Sequence, residues 1–159
     1  MIRVHPWLML LAFSFAAAGG AEIAQHVILL EPSESELAVT ESFFFNNPAV
    51  GTLQIRIPDA AKDTIQVAAT GPDNLPMQLS AKKTGKPNTY KIDFPIKPGE
   101  TRIDVSYHLP FTGPGKFATR LLHKETLTRL VAPTGVEIKG AGLEELGREP
   151  RSQARIFGV

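Results

Sequence analysis

The sequence predicts an all-β protein, an antiparallel immunoglobulin-like β-sandwich with extra strands toward its C-terminus. Three observations carry that expectation. Apolar and polar residues alternate with period two in run after run, the mark of a strand with one buried and one wet face. Clusters of Pro, Gly, Asn, Asp and Ser separate those runs, at roughly the 8–12-residue spacing typical of sandwich strands. Helical signals are confined to residues 59–62 and 143–146, each about one turn and too short to be stable alone.

Four runs are strongly patterned. Leu37, Val39, Glu41, Phe43 and Phe45 alternate with Ala38, Thr40, Ser42 and Phe44. Leu53, Ile55 and Ile57 alternate with Thr52, Gln54 and Arg56, and Ile65, Val67 and Ala69 with Thr64, Gln66 and Ala68. Ile103, Val105, Tyr107 and Leu109 form the fourth series, against Arg102, Asp104, Ser106 and His108. Weaker candidates are 24–30, 77–82, 89–94, 117–123, 126–131, 136–139 and 154–157. Between them, Gly71-Pro72-Asp73-Asn74 and Lys97-Pro98-Gly99-Glu100 have turn chemistry. In the second, Pro presets one central dihedral and Gly accepts the positive φ that a type II turn requires. Pro58, Pro95 and Pro110 mark strand ends or edges, because proline cannot donate to a central ladder.

The first 21 residues read as an export signal. Arg3 precedes the nearly unbroken apolar run 7–18, and Ala16 to Ala21 are all Ala or Gly. A basic start, a short apolar centre and a small-residue end describe a secretory signal peptide. The run is well short of the ~20 residues a spanning helix needs. Cleavage is expected before Gly19 or before Glu22. The expected organisation is a signal peptide at 1–21 and a sandwich at 22–111. Residues 112–159 then supply additional strands packed on the sandwich, or the start of a second module. The product is expected to be exported, periplasmic or extracellular, with no integral membrane span in the mature chain.

Composition removes several function classes. Lys and Arg number 17 against 16 acidic residues, and loss of Arg3 with the leader balances the two. A nucleic-acid binder carries a clear basic excess, so none is expected as a partner. With Cys 0, disulfides, thiolate metal sites and a cysteine nucleophile are excluded.

Some of these strings resemble a known group. Residues 37–41 leading into Asn46-Asn47-Pro48, Ile57-Pro58 followed by Gly71-Pro72, and the stretch from Pro95 to Arg102 resemble bacterial envelope proteins labelled carboxypeptidase-regulatory-like domain-containing. The resemblance implies a non-catalytic β-sandwich module, named after an accessory domain of carboxypeptidases. It carries over no functional residue.

Asp104, Ser106 and His108 share a strand face and match the composition of a hydrolase triad. Alternate residues on a strand stand about 7 Å apart and project in parallel, whereas a triad needs hydrogen-bond contact. A polar, solvated face is expected. A metal could draw on His26, His108 and His123, but a hairpin closed by 111–117 would set His108 opposite Ala118 or Arg120, away from His123. Lys82-Lys83-Thr84-Gly85-Lys86 contains Gly-Lys, but Ser80 and Pro87 stand where a phosphate loop requires Gly and Ser or Thr. The Glu34/Glu36 and Glu144/Glu145 pairs lie in turns and read as solubilising charges. Neither cofactor nor metal is expected.

What remains is a contact surface formed by Phe44, Lys82, Lys83 and Lys86. Phe44 falls on the face opposite Phe43 and Phe45, where it is either covered by the C-terminal strands or available to a partner. The expected function is an exported, non-enzymatic sandwich that binds or organises another envelope component, a protein or a polymer. The alternatives are a hydrolase of envelope polymers and a glycan- or polyanion-binding sandwich.

Overall fold

Period-two patterning over so many runs requires sheets that bury one face each, and that is the architecture of the computed structural model. It describes residues 22–46, 51–94, 99–123 and 127–159. The predicted signal peptide lies outside the described residues, as do Asn47 and Pro48 and the Pro95–Pro98 stretch.

Eleven strands are formed among the described residues: β1 (Ile23–Pro32), β2 (Glu36–Asn46), β3 (Gly51–Arg56), β4 (Gln66–Thr70), β5 (Pro76–Leu79), β6 (Lys82–Lys83), β7 (Thr89–Phe94), β8 (Glu100–Pro110), β9 (Leu127–Ala132), β10 (Glu144–Arg148) and β11 (Arg155–Gly158). A single 3-10 turn, Asp59–Ala61, follows β3, where the sequence carries a one-turn helical signal. The strands divide into an eight-stranded sheet, ordered β10-β11-β9-β1-β2-β8-β4-β5, and a three-stranded sheet, β3-β7-β6. The protein is an all-β sandwich. None of the described helices is long and apolar enough to cross a membrane.

The core lies between the sheets. From the large sheet, Ile28, Leu30, Leu37, Val39, Phe43, Phe45, Val67, Ile103, Val105 and Tyr107 point inward. Leu53, Ile55, Tyr90, Ile92 and Phe94 answer from the small one. Each large side chain so buried contributes roughly 1.5–3 kcal/mol relative to exposure. The β2–β8 pair runs eleven residues in unbroken antiparallel register, from Glu36↔Pro110 to Asn46↔Glu100. That register sets which face every side chain of both strands takes. Gly51 permits a close cross-strand fit: the Phe94 ring occupies the space that a Cβ would need. Gly99 has φ +104°, the left-handed conformation expected of it.

Five sequence expectations need correction. The large sheet is mixed rather than purely antiparallel, because β9 pairs with β1 in parallel, from Gln25↔Leu127 to Leu29↔Val131. Parallel neighbours need a long crossover, and the connection between Pro110 and Leu127 supplies it. The run 77–82 is two strands in different sheets, broken at Ser80-Ala81 where the chain crosses the sandwich edge. Residues 143–146 do not form a helical turn, since Glu144–Arg148 pairs with β11. Ladder hydrogen bonds there outweigh weak local propensity, and Gly147, at φ +136°, takes up a register shift. Residues 117–123 and 136–139 form no ladder. Burial nevertheless alternates residue by residue from 117 to 123, and Phe117, Leu121, Val136 and Ile138 pack on the core. Those segments use their apolar residues as a cover over the sandwich rather than as strands.

Candidate functional site

The inner face of β1, β2 and β8 contains one strongly polar cluster in otherwise apolar surroundings. Glu41 shares the inward parity of Val39 and Phe43 and is 2% exposed. The registers Ile28↔Glu41 and Glu41↔Val105 place a neighbour on each side. From β1, His26 Nε2 lies 2.9 Å from Glu41 Oε2, and from β8 the Tyr107 hydroxyl donates to Glu41 Oε1 at 2.7 Å. Both carboxylate oxygens are therefore engaged. A buried carboxylate without such partners would be prohibitively costly. Burial, reinforced by the adjacent Glu41 charge, pushes the Tyr107 phenol far above its ordinary value, so it stays protonated and acts as a donor.

Aromatic packing extends the cluster outward. The His26 ring stacks on Phe43 at 4.1 Å and 12°, and His123 meets the same Phe43 edge-on at 6.4 Å and 78°. His123 Nε2 is also 2.9 Å from the Gln54 carbonyl oxygen on β3, which fastens the crossover segment to the small sheet. Arg56 and Arg120 border the same crevice. Its water-sized interior is only about 10 Å³, near the minimum for one water molecule. A carboxylate, an imidazole and a phenol are assembled here, but without space for a substrate. What the arrangement does chemically is hold three strands together.

The sequence-derived candidates occupy other places. Asp104, Ser106 and His108 do line the outer face of the large sheet, and their bonds are to neighbours on that face, Arg102 of the same strand and residues of β2. Ser42 Oγ donates to Asp104 Oδ1 at 2.6 Å, Arg102 Nε donates to Asp104 Oδ2 at 2.9 Å, and Ser106 Oγ lies 3.2 Å from Thr40 Oγ1. His108 Nδ1 faces Glu36 Oε1 at 3.2 Å. The three histidines are dispersed: His26 and His123 flank Phe43 on the inner side, and His108 is outside. The hairpin expected to set His108 opposite Ala118 or Arg120 is not formed, because 117–123 joins no ladder. Among the described residues no group of three or more His, Asp or Glu is arranged to hold a metal.

Phe44 is half-buried on the outer face, between Gln25 of β1 and Arg102 of β8. The C-terminal strands extend the sheet sideways beyond β1 instead of lying over this ring. Lys82, Lys83 and Lys86 are all exposed, on β6 and the turn into β7. Sequence reasoning missed Glu41 and Tyr107 as partners. The available signal was a charged residue on the core parity of an otherwise apolar strand.

No family model matches the chain, and no curated protein matches it.

Proposed function

We propose that the mature chain is an exported, non-catalytic β-sandwich module that binds or organises another component of the cell envelope. The observation that carries this reading is the sealing of the polar cluster that His26, Glu41 and Tyr107 assemble among the described residues. The side chains of His26 and Glu41 are 5% and 3% exposed, and a general acid or base must reach its substrate. Asp104, Ser106 and His108 face the outer side of the large sheet, already engaged with Ser42, Arg102, Thr40 and Glu36. The leader-like residues 1–21 and the resemblance to carboxypeptidase-regulatory-like envelope proteins support the same reading.

The test has two arms. In cells, the protein is expected in the periplasm or medium with Gly19 or Glu22 at its N-terminus, and photo-crosslinking is expected to trap an envelope component. In vitro, the purified protein is expected to leave envelope polysaccharide and peptidoglycan intact. Hydrolysis that disappears in Glu41→Gln, with the fold retained, would overturn the reading in favour of an enzyme.

A further inference from the structure

Resting on that binding-module reading, we infer that the lysine-bearing β6–β7 hairpin is the docking surface and that its partner is an acidic polysaccharide. Pairing of β6 with β7 sets Lys82 directly opposite Lys91, and both are exposed. Like charges directly opposite in a ladder are destabilising, so local folding does not account for the pair. The other outward residues on this face are Thr52, Gln54 and Arg56 of β3 and Asp93 of β7. Asp93 alone is acidic, and it lies 3.2 Å from Lys91. Hydrogen bonds from Lys91 and Thr52, with the charges of Lys91 and Lys82, hold its carboxyl below the ordinary range.

Lys83, directly opposite the inward-facing Tyr90, takes the other face of the edge strand, and with Lys86 it carries positive charge around the turn. Lys83 and Lys86 border an open hollow of about 350 Å³, together with Thr84, Asn88 and the opposing charge of Asp59. Among the described residues no carboxylate lies within ion-pair distance of Lys82, Lys83 or Lys86. Because cations and anions balance once the leader is gone, four lysines against one aspartate between 82 and 94 is a local segregation of charge. Clustered charge of one sign attracts a polymer of the other and does so less at high salt.

Two absences on this hairpin narrow the partner. Tyr90, its sole Tyr or Trp, is buried, so the surface offers no ring on which a neutral sugar could stack. The exposed large apolar residues among those described, including Leu75, Met77, Leu122 and Leu146, all lie elsewhere. Docking on a bilayer draws on apolar side chains as well as charge. The hairpin offers ammonium groups without an exposed large apolar side chain beside them, suited to a soluble chain of repeating negative charges.

Dextran sulfate is the probe, with neutral dextran of equal length and phosphatidylglycerol vesicles as comparators. Titration at low salt is expected to show binding to dextran sulfate in preference to both. The triple variant Lys82→Gln, Lys83→Gln, Lys86→Gln is expected to weaken it about tenfold. A charge-matched triple elsewhere, Lys116→Gln, Lys139→Gln, Arg148→Gln, is expected to change it less than about twofold. Far-ultraviolet circular dichroism and urea midpoints check that both variants fold. Equal losses in the two triples, no binding of dextran sulfate, or tighter binding to vesicles would each overturn the inference. If dextran sulfate fails while photo-crosslinking still captures an envelope component, the polysaccharide inference falls and the module reading stands. If crosslinking captures nothing, the module reading fails with it.

Discussion

Glu41 and Asp104 occupy the same β2–β8 pair, one register step apart, and face opposite sides of the sheet. Each has two hydrogen-bond partners. Glu41, inside, is held by His26 and Tyr107 with its side chain 3% exposed. Asp104, outside, is held by Ser42 and Arg102 with its side chain 24% exposed. Water can replace the partners of the outer carboxylate and cannot reach the inner one. Similar bond counts therefore carry different energies, and strand parity decides which is which.

The strongest way to break that comparison is Glu41→Ala. It leaves the His26 imidazole and Tyr107 hydroxyl buried without their acceptor, and is expected to lower the free energy of urea unfolding by about 3–5 kcal/mol. Tyr107→Phe removes one hydroxyl but keeps the ring and its packing. The carboxylate then loses one of two partners, for an expected loss of about 1–3 kcal/mol in the same measurement. Asp104→Ala on the outer face is expected to cost no more than about 1 kcal/mol, and Ser106→Ala or His108→Ala less. If Asp104→Ala proved as damaging as Glu41→Ala, burial would not be the governing difference.

The smallest expected effect concerns the sheet edge. A hydrogen bond from Arg155, with its charge, holds the exposed Glu145 carboxyl below its ordinary value of 4.5. A carboxyl depressed in the folded state contributes stability above its unfolded value, and that contribution is lost as pH falls through the lower folded value. Acidification through that lower value is thus expected to reduce amide protection factors in β10 and β11 before β2 and β8. Because the pair is exposed, salt should blunt the effect. Protection at β10 left unchanged by acidification would show that this pair contributes nothing to the edge.

The strands with clean alternation were readable because one residue in two had to be buried. Leu37 to Phe45 and Ile103 to Leu109 needed no further information. Residues 117–123 show the limit of that logic. Their alternation is real, yet it records contact with the core rather than hydrogen bonding to a neighbouring strand. At 144–148 the sequence pattern is too weak to define a strand, and pairing with β11 decides the outcome. The candidate site was less legible than the fold. Asp104, Ser106 and His108 alternate on one strand, but each takes its partner outside the trio: Ser42 and Arg102, Thr40, and Glu36.

From local residue order alone follow the all-β class, the inward parity of Glu41, the turn at Gly99 and the lysine-rich loop after β5. These are determined within a few residues by side-chain period and backbone sterics. Tertiary structure alone decided that β9 lies parallel to β1, that 77–82 divides between two sheets, and that Glu41 meets His26 and Tyr107. Those partners stand 15 and 66 positions away in the chain. Only inter-strand register, set by packing the whole core, selects which distant residues become neighbours.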